Sequence, residues 1–260
     1  MGAIPIGLST ASVWPRTVEV GFRLAAELGY DGVEVMVWTD RGSQDLARLR
    51  RFARRYGVAV LAVHAPCLLI TQRVWSPDPV IRLRRAVDVA RELGARTVVV
   101  HPPFRWQRRY LERFPDLVAE LTDTSGLAVA VENMFPVRRR LGAVSAYAPS
   151  IDPTDTGHRH YTLDLSHTAA AGVDAIELAA RMGDGLTHVH LADGSGSPRD
   201  EHLVPGRGGQ PCAQLCDLLR TTGFAGQVVL EVNTRHATSP AEQVRDLAEA
   251  LLFAQLNLGR

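Results

Sequence analysis

Short apolar runs rich in β-branched residues recur along the chain, each bounded by Gly, Asp, Pro or charged residues. They are Ile4–Ser9, Gly32–Val37, Val58–His64, Arg96–His101, Leu127–Glu132, His160–Leu165, Leu186–Leu191 and Gln227–Val232. Such short, bounded runs read as buried strands. Between them lie segments with apolar residues at helical spacing: Val18–Leu28, Asp45–Arg55, Val80–Leu93, Leu111–Leu121, Ala175–Met182, Cys212–Leu219 and Ala241–Leu256. The pattern over Leu141–Tyr147 predicts one more, shorter helix. Eight strands alternating with helices predict an α/β fold, a parallel sheet closed into a (β/α)8 TIM barrel that forms a single domain over residues 1–260. A doubly wound open sheet is the alternative. It normally carries a glycine-rich nucleotide turn after its first strand, and Gly7–Ser12, GLSTAS, is no such turn.

Composition narrows the chemistry. With 46% hydrophobic and 22% charged residues the chain is an ordinary globular protein, not a disordered, collagenous or coiled-coil one. A formal charge of +1 leaves no bulk attraction for polyanions, so any anion binding is local. All 29 basic residues are Arg. Without Lys there is no Schiff base and no P-loop amine, which excludes lysine-dependent aldolases, PLP enzymes and Walker NTPases. Cys67, Cys212 and Cys216 are too few and wrongly spaced for a disulfide framework or a CxxC metal site. Together with the lack of a signal-like start or a long apolar segment, this predicts a cytoplasmic protein that does not engage a membrane.

In a TIM barrel, reactive residues gather at the C-terminal ends of the strands. His64, His101, Glu132, Asp164, His190 and Glu231 end six consecutive predicted strands, from the third to the eighth, and His167 lies one turn beyond Asp164. A ring of imidazoles and carboxylates would repel itself and resist desolvation unless cations neutralise it. The mixed N/O ligands suit Zn2+, Mn2+ or Fe2+ better than Ca2+ or Mg2+, and the absence of thiolate ligands argues for an open, catalytic site. Asp200 and His202, spaced i, i+2 in the loop after the seventh strand, point the same way if that segment is extended and form a plausible second ligand pair. His188 falls one layer deeper than His190 and reads as a supporting histidine.

These residues resemble the xylose-isomerase-like TIM barrels, a superfamily that joins sugar and sugar-phosphate isomerases and epimerases with the family 2 apurinic endonucleases of endonuclease IV type. The resemblance covers almost the whole chain. It is carried by GVEV at Gly32, HAP at His64, HPP at His101, VEN at Val131, LDLSHTAAAGVD from Leu163, HLAD at His190, DEHLVPGRG from Asp200 and LEVN at Leu230. The isomerases and epimerases imply four metal ligands, placed on Glu132, Asp164, His190 and Glu231. Endonuclease IV implies nine ligands and up to three Zn2+ or Mn2+ ions, and every one of its ligands has a counterpart here. By that resemblance His64, His101 and Glu132 hold one ion, Glu132, Asp164, His190 and Glu231 a second, and His167, Asp200 and His202 a third. The chain departs from endonuclease IV in a shorter loop between His190 and Asp200 and in APCLL after His64, which lacks that family's aromatic wedge. Val37–Asp40, VWTD, looks more like the sugar-isomerase branch.

Trp14, Trp38, Trp75 and Trp106 all fall at or just after the first four strands, on the face predicted to be catalytic. Flat indole faces suit a sugar or a base. Arginines cluster on the same loops and match phosphate geometry, so the expected substrate contacts are Trp14, Trp38, Trp106, Arg105, Arg138 and Arg207. Glu132, Glu231 and His167 are the expected catalytic residues. The full ligand set favours hydrolysis of a phosphoester in a small phosphorylated carbohydrate or an abasic nucleic acid. The alternative is sugar or sugar-phosphate isomerisation or epimerisation on one metal, with Glu132 and Glu231 as the acid/base pair.

Overall fold

The computed structural model describes residues 2–139 and 142–260, with the description over 137–139 and 142–144 being of backbone. Its elements are, in chain order, β1 (Ile6–Ser9), α1 (Val18–Leu28), β2 (Gly32–Met36), α2 (Leu46–Tyr56), β3 (Ala59–His64), α3 (Pro79–Leu93), β4 (Thr97–Val100), α4 (Arg108–Ser125), β5 (Ala128–Glu132), β6 (Val137–Arg139), β7 (Gly142–Val144), β8 (Tyr161–Asp164), α5 (Leu165–Ala171), α6 (Ala175–Met182), β9 (Leu186–Leu191), α7 (Cys212–Thr221), β10 (Gln227–Leu230) and α8 (Pro240–Asn257). All pairings between barrel strands are parallel, and the sheet closes in the order β1-β10-β9-β8-β5-β4-β3-β2.

Local chemistry sets the helix boundaries. Asp45, Asp78, Asp174 and Ser239 accept backbone N–H bonds at the first turns of α2, α3, α6 and α8. The first four helices each run into a glycine with positive φ, Gly29, Gly57, Gly94 and Gly126, which turns the chain back toward the next strand. Phe22, Leu49, Leu83, Phe114, Leu178, Leu215 and Leu247 bury their side chains in one continuous core with strand residues such as Val33, Val63 and Val98. Each contributes about 1.5–3 kcal/mol relative to exposure.

Two expectations change. No helix forms over the described residues 142–147: β6 and β7 pair antiparallel there with Val137 opposite Val144, and Leu141 lies outside the described residues. Gly142 and Val144 are poor helix formers, and among the described residues the segment has no side-chain cap of the kind Asp164 gives α5. A helix that the periodicity does not signal, α5, begins directly on the strand-end Asp164. No helix among the described residues is long and apolar enough to cross a membrane.

Candidate metal centre

The strand ends deliver their polar side chains to one cavity of about 430 Å3 at the C-terminal mouth of the barrel. Glu132, at the end of β5, is the hub. Its Oε2 lies 3.4 Å from His64 Nε2 and 2.9 Å from His101 Nε2, and its Oε1 lies 2.8 Å from His190 Nδ1. The same His190 nitrogen is 3.1 Å from Glu231 Oε2 and 3.4 Å from Asp164 Oδ2. A third group forms around Asp200, whose Oδ1 lies 3.0 Å from His202 Nε2 and whose Oδ2 lies 3.5 Å from His167 Nε2. The structure thus brings together His64, His101, Glu132, Asp164, His167, His190, Asp200, His202 and Glu231, with Glu132 shared between the first two groups.

Local folding explains the convergence. Asp164 Oδ1 caps α5 by accepting the His167 N–H at 2.8 Å, which leaves Oδ2 facing His190 and places His167 one turn along the helix. Ser166 Oγ donates to Asp200 at 2.7 Å and accepts the His202 N–H at 2.9 Å, tying the loop after β9 to α5. His202 has a positive φ of 46°, so the segment is not simply extended and the pairing with Asp200 depends on this turn. Asp193 holds the loop's base: its carboxylate accepts N–H bonds from Gly194, Gly206, Gly208 and Gln210 at 2.8–3.0 Å. A Cβ on Gly208 would sit 2.3 Å from Asp193 Oδ1, which accounts for the glycine at that position.

Hydrogen bonds orient the imidazoles. His64, His167 and His202 each direct Nδ1 at a backbone carbonyl, of Ala65, Asn133 and Glu231, at 3.0, 2.8 and 2.8 Å. A carbonyl only accepts, so in the neutral ring Nδ1 carries the hydrogen and Nε2 presents its lone pair to the carboxylates. His190 is turned the other way, with Nε2 on Glu34 at 3.1 and 3.2 Å. Glu34 also contacts His188 Nε2 at 3.0 Å, and Gln227 Nε2 reaches His188 Nδ1 at 3.0 Å and the Leu61 carbonyl at 3.1 Å.

Burial opposes charge on each of these groups, yet the surrounding histidines hold Glu132 and Asp200 well below the usual carboxylate range. Against the same burial, Asp164 and Asp200 push His167 up to about 10, and Asp200 and Asp164 lift His202 well above its ordinary value. Glu231 moves upward, because burial outweighs His190 and His202. Glu132 Oε2, Asp164 Oδ2, Glu231 Oε2 and His101 Nδ1 are buried without a hydrogen-bond partner. Orphaned carboxylate oxygens beside imidazole lone pairs are costly unless a cation satisfies both. The donor set fits Zn2+ or Mn2+.

Other expected contacts divide. Trp14 and Trp38 line the cavity with ring centroids 6.5 Å apart. Trp106 instead stacks on Phe104 at 4.5 Å, Arg105 donates to the Tyr147 carbonyl at 3.4 Å, and neither lines the cavity. Arg207 is drawn to α8, pairing with Asp246 at 2.9 Å and with Glu249. The side chain of Arg138 lies outside the described residues. Among the described residues, the arginines that line the cavity are Arg16 and Arg235, the latter 5.3 Å over the ring of Trp14. The sequence also gives little hint of Cys67, 3.8 Å from His64 on the Nδ1 side, or of Arg82, which donates to the Pro66, Gln72, Ser76 and Pro77 carbonyls and pins the loop after β3.

Residues 22–253 match the family model described as xylose isomerase-like TIM barrel. An uncharacterised protein of Mycobacterium tuberculosis strain H37Rv is 56% identical, with 99% of each chain covered. Among solved structures, a 3-keto-D-glucoside 4-epimerase from E. coli superposes with a TM-score of 0.71 at 18% identity, covering 97% of this chain and 99% of that one. A family 2 AP endonuclease from Brucella melitensis gives 0.65 at 19% identity, covering 89% and 94%.

Proposed function

The chain belongs to the xylose isomerase-like TIM barrel family, and from that premise we propose that it is a divalent-metal-dependent enzyme that hydrolyses a phosphoester on a sugar-type substrate. The observation that carries this reading is Asp200, set between the Nε2 atoms of His202 and His167 at 3.0 and 3.5 Å. Isomerisation on one cation uses Glu132, Asp164, His190 and Glu231 and leaves this third group, with His64 and His101, no metal to hold.

Up to three Zn2+ or Mn2+ ions would be held by His64, His101 and Glu132, by Glu132, Asp164, His190 and Glu231, and by His167, Asp200 and His202. When bound, such ions supply Lewis acidity that draws charge from phosphoryl oxygens and lowers the pKa of water. The chain's own groups supply position and proton transfer. Glu231 lines the cavity, so its carboxylate is placed to take a proton from the attacking water. His167 and Glu132 orient the groups around it, and Trp14 and Trp38 shield the reacting centre from solvent. With a net charge of +1, a small phosphorylated carbohydrate fits better than a long nucleic acid, of which only a local abasic site would be engaged.

Epimerisation is the second reading. Glu132 and Glu231 approach the same His190 nitrogen at 2.8 and 3.1 Å, which suits proton exchange on two sides of a ketose. The E. coli neighbour is itself an epimerase. The two readings separate in one pair of assays. Turnover of bis(p-nitrophenyl) phosphate, abolished by Glu132→Ala, supports hydrolysis. Solvent deuterium entering a ketose carbon, with no ester cleavage, replaces it by epimerisation.

A further inference from the structure

The closed strand order divides the cavity into two arcs. The metal-site residues come from the contiguous strands β3-β4-β5-β8-β9-β10, or from the loops after them. The remaining arc, β10-β1-β2-β3, contributes Trp14, Met36, Trp38, Leu68, Ile70 and Val232. Three polar side chains on this second arc, Thr10, Asp40 and Ser43, are committed to backbone, while Arg16, Asn233 and Arg235 also line it and Arg235 Nε donates to Asn233 Oδ1 at 3.0 Å. Thr10 Oγ1 accepts the Met36 N–H at 2.9 Å, Ser43 Oγ accepts the Trp38 N–H at 3.0 Å, and the Asp40 carboxylate accepts the Val18 and Gly42 N–H groups, each at 3.1 Å. At the mouth, Trp14 and Ile70 stay 41% and 61% exposed although both line the cavity, an arrangement that leaves apolar surface for a ligand to cover.

We infer that the substrate is two-faced: an oxyanion turned to the β3–β10 arc and a planar apolar group, an aromatic ring or base, laid on the Trp14–Trp38–Ile70 arc. This rests on the phosphoester reading for the anionic end only. A plain sugar phosphate would set several hydroxyls against the Trp14–Trp38–Ile70 surface, where the Thr10, Asp40 and Ser43 oxygens are already bonded to backbone, and unpaired buried hydroxyls cost affinity. A ring stacked there loses no hydrogen bonds and gains apolar burial. The cavity, about 430 Å3, lies within the range of pockets that enclose a whole small ligand.

The test compares two matched probe pairs by titration calorimetry on metal-loaded protein: phenylphosphonate against methylphosphonate, and phenyl β-xyloside against methyl β-xyloside. The phenyl member should bind at least about tenfold more tightly, the gain from burying one ring. In Trp38→Ala, and independently in the surface change Ile70→Ser, the phenyl-to-methyl ratio should fall toward one. Equal affinities within both pairs overturn the inference, as does a ratio that neither variant changes. A ring preference confined to the xylosides, with neither phosphonate binding, keeps the apolar arc and discards the phosphoester reading.

Discussion

Glu34 accepts the Nε2–H of His190 on the side of the ring opposite Glu132, Asp164 and Glu231, so one buried carboxylate decides which imidazole nitrogen faces the metal site. The protons below it are also assigned. Gln227 Nε2 donates to His188 Nδ1, which leaves the hydrogen of His188 on Nε2, 3.0 Å from Glu34. Burial works against charge on Glu34, but His190 and His188 hold it far below the normal range, as a carboxylate. Glu34→Gln should weaken metal binding at the His190 group by about 10–100-fold, the usual effect of removing such a supporting carboxylate. Competition against a chromophoric chelator measures it, and unchanged affinity would refute the role.

Elemental analysis of protein purified without chelator should find about three divalent ions per chain, with His64→Ala and His202→Ala each losing roughly one. A single ion, indifferent to both substitutions, would reduce the site to Glu132, Asp164, His190 and Glu231 and favour epimerisation.

Stability should depend on pH in opposite senses with and without metal. In the chelated protein His167, His190 and His202 have raised pKa values, His167 to about 10. Their protonated forms stabilise the fold fully below the unfolded histidine value, and that contribution is lost as pH rises toward about 10. The melting temperature of chelated protein should therefore fall as pH rises above neutrality. Metal-loaded protein should hold or gain stability over the same range, because ions displace those protons. Parallel curves would contradict the metal assignment.

Asp193→Asn leaves one acceptor oxygen and an NH2 where four backbone N–H groups converge. Two charged hydrogen bonds are lost, at about 1.5–3 kcal/mol each, so melting should drop by roughly 6–24 °C in a chain of this size. The displaced loop carries Asp200 and His202, so one metal equivalent should go with it.

The barrel is legible in the sequence because its strands are short apolar runs, and six of the eight carry a candidate ligand at or beside the C-terminal end. His64, Glu132 and Asp164 end their strands in the fold as the pattern predicts. Glu34 is harder to see. It sits inside GVEVM, where it resembles an ordinary interruption, although strand alternation sets it opposite Val33 and Val35 and so toward the barrel interior. Helix α5 escapes detection because its cap is the site residue Asp164 itself. Arg105, Arg207 and Trp106 lie on loops or loop edges, and periodicity says nothing of the direction a loop takes. Arg207 follows Asp246 and Glu249, whose positions are fixed only by the packing of α8.

The two arcs of the cavity also occupy different stretches of the chain. Apart from Val232, the apolar arc is written before residue 71, whereas all metal-site residues but His64 come from residue 101 onward. On the proposed assignment, a single crossover in the gene between β3 and β4 exchanges the apolar arc and carries with it only His64 of the candidate ligands, together with the supporting Glu34. Exchange of the N-terminal quarter among relatives of this barrel would alter which molecules are accepted while leaving eight of the nine candidate ligands untouched.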